Sequence, residues 1–265
     1  MITNSAYVVS ALRTAGGKRG GHLANWHPVD LGAHVINALL EDVDCAPDAI
    51  EDVIFGSVSQ IGEQAMNVAR NVVLASNLPE SVPATSVDRQ CGSSQQALHF
   101  AAQAVMSGTM DVVVAGGVES MSRTPMFSPV SLPRKAGLGH YMSPELQRRY
   151  PDIEFSQFDG AEMMAKKYEI SKSNLDEYAL ESHIRAKEAS ENDVFHPEII
   201  PTEIKDAEGR GTGEMHAKDE GVRLDATLEG IASLAPIIEN GVLTPGTASQ
   251  ICDGSSGVIV CNDRG

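Results

Sequence analysis

Ala84-Thr85-Ser86-Val87-Asp88-Arg89-Gln90-Cys91-Gly92-Ser93-Ser94-Gln95-Gln96-Ala97-Leu98 is the stretch on which the reading of the fold turns. Residues 82–87 are small and partly β-branched, the composition of a strand or of the approach to one. Gly92-Ser93-Ser94 allows a sharp turn. Residues 95–105 read as a small-residue helix, with Ala97, Leu98, Ala101, Ala102, Ala104 and Val105 apolar. One cysteine therefore falls at a strand-to-helix junction. The first N–H groups of a helix have no intrahelical partner, and the aligned peptide dipoles favour an anion there. Such a setting favours thiolate over thiol and makes a cysteine available as a nucleophile. The competing reading is a buried structural cysteine, the commonest state of a free thiol, and the local sequence leaves both open.

Outward from this stretch, strand and helix patterns alternate. Residues 6–10, 53–58 and 112–115 read as short apolar strands, and 257–261 as a returning strand, the last of the sheet. Residues 28–43 carry Val29, Leu31, Val35, Ile36, Leu39 and Leu40 at helical spacing, and 67–75 form another helix, stopped by Asn77-Leu78-Pro79. This order predicts an α/β fold, its sheet largely parallel, with helices on both faces. Residues 13–21 are basic and glycine-rich and read as a solvated loop. After Met121 the composition shifts. Residues 122–160 are rich in Pro, Ser and Gly, helices follow at 161–168 and 174–192 with Ser171 and Ser173 as candidate caps, and 202–222 read as a charged, solvated loop. This middle block reads as a subdomain of loops and helices.

The order strand, Cys91, helix, strand, Gly116-Gly117 resembles the thiolase family. Further matches are Arg13-Thr14 with Gly17-Lys18, Gly56-Ser57-Val58, Asn67-Val68-Ala69-Arg70, and Thr244-Pro245-Gly246-Thr247-Ala248-Ser249 followed by Asp253-Gly254-Ser255-Ser256-Gly257. Together they run from about residue 7 to residue 263. Asp88 stands where thiolases often carry Asn, and Gly-Ser-Ser-Gln after the cysteine is not the commonest version. The resemblance implies an α-β-α layered domain with a mixed five-stranded sheet, built from residues 1–120 and 246–265, and a loop domain, residues 121–245, that covers the active site and holds CoA. It also implies a second α/β domain. The chain stops where that domain would begin, so the Gly-His-Pro, Asn-Glu-Ala and second Cys-Gly segments are expected to be missing from it.

The same resemblance implies thiolase-type acyl transfer. Cys91 would carry the acyl group and its own backbone N–H would serve as one oxyanion donor. The activating histidine and the second, acid/base cysteine would come from the domain outside this chain. Arg223 stands where thiolases place an arginine near the adenine and phosphate end of CoA, a surface ion pair being the alternative. Ser249 matches a serine that bonds the pantetheine arm, with a turn-capping role as the alternative. Phe158 falls near a position lining the acyl tunnel, or is a core residue. Gly230 replaces a CoA-contacting serine. The expected reaction is thiolysis of a 3-ketoacyl-CoA or its reverse condensation, with CoA and acyl-CoA as substrates, no permanently bound cofactor, and a homodimer or homotetramer as the assembly. One alternative is a catalytically incomplete half, partnered by a chain that supplies the C-terminal domain. A lower one is a ketoacyl-synthase-like condensing enzyme.

Composition is compatible with this. The chain has 265 residues, 42% hydrophobic and 21% charged, enough for one or two domains with a real core. A net charge of −16 argues against nucleic acid or an anionic membrane surface as partner. Cys45, Cys91, Cys252 and Cys261 form no CxxC pair and no zinc pattern with histidine, so no metal is expected and a reducing compartment fits. Met1 to Ser5 show no secretory pattern, and no apolar run approaches ~18 residues, so a cytoplasmic protein is expected. His22, His27, His34, His99, His140, His183, His196 and His216 match no thiolase catalytic motif and read as surface or core residues. Cys252 and Cys261 read as core.

Overall fold

A computed structural model describes residues 5–265, so most of the Met1–Ser5 stretch read for a leader lies outside the described residues. In chain order the elements are β1 (Tyr7–Thr14), β2 (Gly17–Lys18), α1 (Pro28–Asp42), β3 (Asp52–Gly56), α2 (Val68–Ala75), β4 (Ala84–Val87), α3 (Ser93–Ser107), β5 (Val112–Ser120), α4 (Ser128–Lys135), α5 (Pro144–Arg149), α6 (Gln157–Lys167), α7 (Lys172–Glu191), β6 (Ile199–Ile200), β7 (Thr202–Lys205), β8 (Gly211–His216), α8 (Leu228–Ala232) and β9 (Cys252–Cys261). The helices begin where their chemistry directs. Pro28 occupies the first turn of α1 and His27 caps it through Nδ1, while Ser171 and Asn174 form a reciprocal capping box on α7.

The chain separates into two compact units. The first holds the residues up to Leu132, His196–Glu220 and Ile251–Gly265. Its sheet runs β4-β3-β5-β9-β1-β6, with β2 also on β9. The expected five strands are thus joined by two two-residue strands, giving seven. Parallel pairing is confined to β3 with β4, β3 with β5, and β1 with β6; β9 runs antiparallel to β5, β1 and β2. The sheet is therefore mixed rather than largely parallel. The parallel strands around β3 are joined through helices, α2 leading from β3 to β4 and α3 from β4 to β5, as parallel neighbours require. The returning strand begins at Cys252, five residues before Gly257, and lies in the middle of the sheet.

Helices α1 and α2 cover one sheet face, burying Leu31, Val35, Ile36, Leu39, Val68, Val72 and Val73 against Val53, Phe55, Val114 and Ile259. Helix α3 lies on the other, where Ala97, Ala101 and Val105 meet Ile54, Val113, Ala115 and Val260.

Residues 202–222, read as a loop, contain the β7–β8 hairpin, and as far as Glu220 they group with the sheet rather than with the middle block. Trp26 is the reason. Its indole N–H donates to the Glu203 carbonyl at 2.8 Å, the Lys205 ammonium lies 3.5 Å from its ring centre, and Asn25 donates to the Lys205 carbonyl at 2.9 Å.

The second unit is Pro133–Phe195 with Gly221–Gln250. Helix α7 is tied to α8 by Lys172, whose ammonium reaches Asp176 at 2.7 Å and the Ala232 carbonyl at 3.0 Å. The Glu162 carboxylate of α6 accepts the N–H groups of Val242 and Leu243 at 2.9 Å. Within the Pro-, Ser- and Gly-rich residues 122–160 lie α4 and α5. Among the described residues, no helix is long and apolar enough to cross a membrane.

Candidate active site

Val87 ends β4, Gly92 is the N-cap of α3, and Cys91 is exposed between them. The turn is built from its own polar groups. Asp88 Oδ1 accepts the Gln90 N–H at 2.8 Å, while Ser93 Oγ accepts the Arg89 N–H at 2.9 Å and donates to the Gln90 carbonyl at 2.6 Å. Gln90 adopts φ +50°, a left-handed conformation that non-glycine residues adopt at a cost. No side chain caps α3; the Gly92 and Ser93 N–H groups donate instead to the Arg89 and Gln90 carbonyls at 3.2 and 3.0 Å, and Cys91 lies beside this positive dipole end.

Two glycines set the height of this helix start. A Cβ on Gly56 would overlap the backbone of Ser93 and Ser94, and one on Gly117 would overlap the Ser94 side chain. Helix α3 therefore rests directly on the carboxyl-terminal ends of β3 and β5, which presents Cys91 at that edge of the sheet. Asn67 and Arg70 hold the neighbouring strand. Asn67 accepts the Ser86 hydroxyl at 2.8 Å and donates to the Ala84 carbonyl at 3.0 Å, and the Arg70 guanidinium donates to the Val82 and Glu80 carbonyls at 2.6 and 2.7 Å. Behind β5, Gln64 is fully buried. It donates to Glu119 at 2.8 Å and accepts the Ser120 N–H at 2.8 Å, and Glu119 also accepts the Val58 N–H at 2.7 Å. Asp253 accepts the Ser122 N–H and hydroxyl at 2.8 and 2.5 Å. These side chains position loops.

Of the Arg13–Gly21 stretch, read as a solvated loop, Lys18, Arg19 and Gly20 are exposed, but Arg13 to Gly16 are held by ion pairs and hydrogen bonds. Arg13 makes a paired contact with Asp219 at 2.7 and 3.1 Å and meets Glu198 at 2.7 Å, while the Gly16 N–H donates to Asp219 at 2.6 Å. Burial works to raise the Asp219 carboxyl, but the Arg13 and Gly16 hydrogen bonds together hold it below the usual range.

Arg223, Ser249 and Phe158 all fall in the second unit. Arg223 is exposed, and its N–H donates to His183 Nδ1 at 3.3 Å. Ser249 is exposed as well, and the adjoining Gln250 donates to the Gly221 carbonyl at 2.8 Å, which brings the segments of Ser249 and Arg223 together. Phe158 is half-buried in the first turn of α6. Cys91 lies in the first unit.

Cys261 is buried as expected, but Cys252 is exposed, because it stands at the outer end of β9. Its thiol is nevertheless pushed up, by burial around the sulfur and then by Asp253 and Glu119. Burial also raises the Cys45 and Cys261 thiols. Beside α3, a cavity of about 320 Å³ opens among Ala11, Arg13, Gln95, Leu98, Ser256 and Val258. Cys91 does not line it. No described side chain hydrogen-bonds the Cys91 sulfur.

This fold and site define a layered α/β protein that presents a cysteine at a strand-to-helix turn. The chain belongs to the thiolase family: the profile of the thiolase N-terminal domain matches residues 6–264. The steroid 3-ketoacyl-CoA thiolase FadA6 of Mycobacterium tuberculosis is 46% identical to it over 265 residues, 99% of this chain and 63% of that protein. A 3-ketoacyl-CoA thiolase of Vibrio cholerae is 37% identical over 98% of this chain and 65% of its own length. The 3-ketoacyl-CoA thiolase FadA of Escherichia coli is 36% identical over 97% and 64%. The chain thus spans less than two thirds of these relatives.

Proposed function

We propose that this chain carries the nucleophile of a thiolase-type acyltransferase acting on CoA thioesters. The supporting observation is an exposed Cys91 beside a helix start that no side chain caps. In the cleavage direction, the Cys91 thiolate adds to the 3-keto carbon of a 3-ketoacyl-CoA. The carbonyl oxygen becomes an oxyanion beside the Cys91 N–H and the positive end of α3, which would stabilise the charge as it develops. Collapse breaks the C2–C3 bond, leaving an acyl-cysteine, and the C2 carbanion takes a proton to become acetyl-CoA. The sulfur of a second CoA then attacks the acyl carbonyl and releases Cys91. Condensation is the reverse. Arg223 would receive the phosphate end of CoA, Ser249 the pantetheine arm, and Phe158 would line the acyl path.

The base that takes the thiol proton and the acid that protonates C2 would come from a further thiolase segment or from another chain, since no described side chain reaches the sulfur. Val8 and Ala11 of β1, paired with Val260 and Val258 of the α3 side, are exposed and would lie under that second half. Self-association into a dimer or tetramer belongs to the same reading.

Brief exposure to iodoacetamide, or to acetyl-CoA, followed by peptide mapping tests it. Label on Cys91 ahead of Cys252 is expected, and its loss in Cys91→Ser. Label that spares Cys91 refutes the proposal. Substantial thiolysis by the purified chain, with nothing added, would show that the complement is unnecessary.

A further inference from the structure

We propose that His22, His216 and Glu220 form a binding site for one zinc-class divalent cation, with both imidazole Nδ1 atoms and Glu220 Oε1 as ligands. These three groups can each direct one ligand atom within 4.8 Å of the others. The two Nδ1 atoms are 3.1 Å apart and His22 Nδ1 is 3.9 Å from Oε1. Ligands at about 2.0–2.1 Å from a tetrahedral zinc ion stand about 3.3 Å from one another. The imidazole pair is therefore close to that spacing, and the carboxylate, 3.9 Å from His22 Nδ1 and within 4.8 Å of the His216 ligand atom, has to move in towards both rings.

The rings are oriented for it. His216 is 2% exposed, and its Nε2 lies 3.1 Å from the Ala15 carbonyl oxygen. A carbonyl only accepts, so Nε2 carries the proton and Nδ1 keeps its lone pair, directed at His22. This is the outer hydrogen bond that fixes the tautomer of a metal-binding histidine. Glu220 is held from the opposite side. Its Oε2 accepts the N–H groups of His22 and Lys18 at 3.0 and 3.2 Å, leaving Oε1 turned to the imidazoles, and a Cβ on Gly21 would overlap this carboxylate. The Lys18 ammonium is 3.6 Å from Oε1, but its side chain is 63% exposed and is free to turn into water. The His22 side chain is half exposed and gives an ion its way in.

Two imidazoles and one carboxylate select zinc and its neighbours rather than magnesium or calcium, which prefer oxygen. The ligands join the loop after β2 to the end of β8. The Glu220 N–H already donates to the Gly16 carbonyl at 2.9 Å, so a bound ion would lock this junction.

The test is a titration of the full chain after chelator treatment, with zinc followed by calorimetry and cobalt by visible absorption. One equivalent is expected to bind with a dissociation constant of about 1 μM or tighter, with the intense d–d bands of four-coordinate cobalt and a melting temperature raised by a few degrees at saturation. His22→Gln, which removes a half-exposed ring and should fold normally, is expected to weaken binding at least about tenfold and to abolish the thermal shift. Glu220→Gln should do likewise, and the exposed His140→Gln should change nothing. Equal binding by the parent and His22→Gln, or no binding by the parent, would overturn the site and leave an ordinary imidazole–imidazole hydrogen bond. Neither readout depends on Cys91.

Discussion

The two faces of the sheet are finished differently. On the α1/α2 face, 21 buried residues form one cluster that reaches from Leu23 to Cys261. On the α3 face the buried cluster has 7, because one helix covers β3 and β5 and leaves the β1 side open. There Val8, paired with Val260, is 53% exposed, and a cavity opens among Ala11, Arg13 and Val258. The difference teaches that one face is closed into a core and the other is left partly open around the Cys91 turn. The first is a closed core. The second holds the cysteine turn, the glycine seats beneath it, and exposed apolar surface.

Substitutions on the two faces should separate these roles. The largest loss is expected from Phe55→Ala, a fully buried ring on the closed face: about 3–5 kcal/mol in urea unfolding. Val105→Ala on the buried side of α3 should cost about 2 kcal/mol. Equal costs would remove the contrast. Next comes Gly117→Ala, whose Cβ collides with Ser94. It should destabilise by about 1–3 kcal/mol and slow alkylation of Cys91 by shifting the helix start, whereas unchanged alkylation would detach the glycine seat from the site. Asp219→Asn should cost about 1–2 kcal/mol at neutral pH, since the Arg13–Asp219 pair is only partly exposed. Because the folded carboxyl lies below its ordinary value, its contribution is complete above about pH 4 and is lost as pH falls through the lowered folded value. The parent should therefore lose more stability than Asp219→Asn across that acid range, and parallel curves would show that the pair contributes nothing. The smallest effect belongs to Val8→Lys on the open face. Stability should move by less than about 0.5 kcal/mol, while any self-association seen in gel filtration should weaken. A loss as large as that of Val105→Ala would mean that this strip is already core.

Much of the α3 side was legible in the sequence, because its signals are local. The strand, turn and small-residue helix around Cys91 need only neighbouring residues to be recognised, and so did the Ser171 cap. What stayed hidden is non-local. Strand β9 reads as a last strand, yet its register places it between β5 and β1. The hairpin at 202–216 is charged and reads as a solvated loop. It is held by Trp26, about 180 residues away in the chain. The motifs Gly56-Ser57-Val58 and Asn67-Val68-Ala69-Arg70 were visible as resemblances. Their work, seating one helix and bracing one strand, shows only when the pieces meet. His22 and His216 are separated by 194 positions, so no spacing rule could pair them.

Strand β9 also dictates the order of assembly. β1 and β5 leave a gap that only residues 252–261 fill, so the sheet cannot close during synthesis until its final segment has left the ribosome. Until then the edges of β1 and β5 stand unzipped, and a nascent chain stalled short of Cys252 offers both to any strand-seeking neighbour.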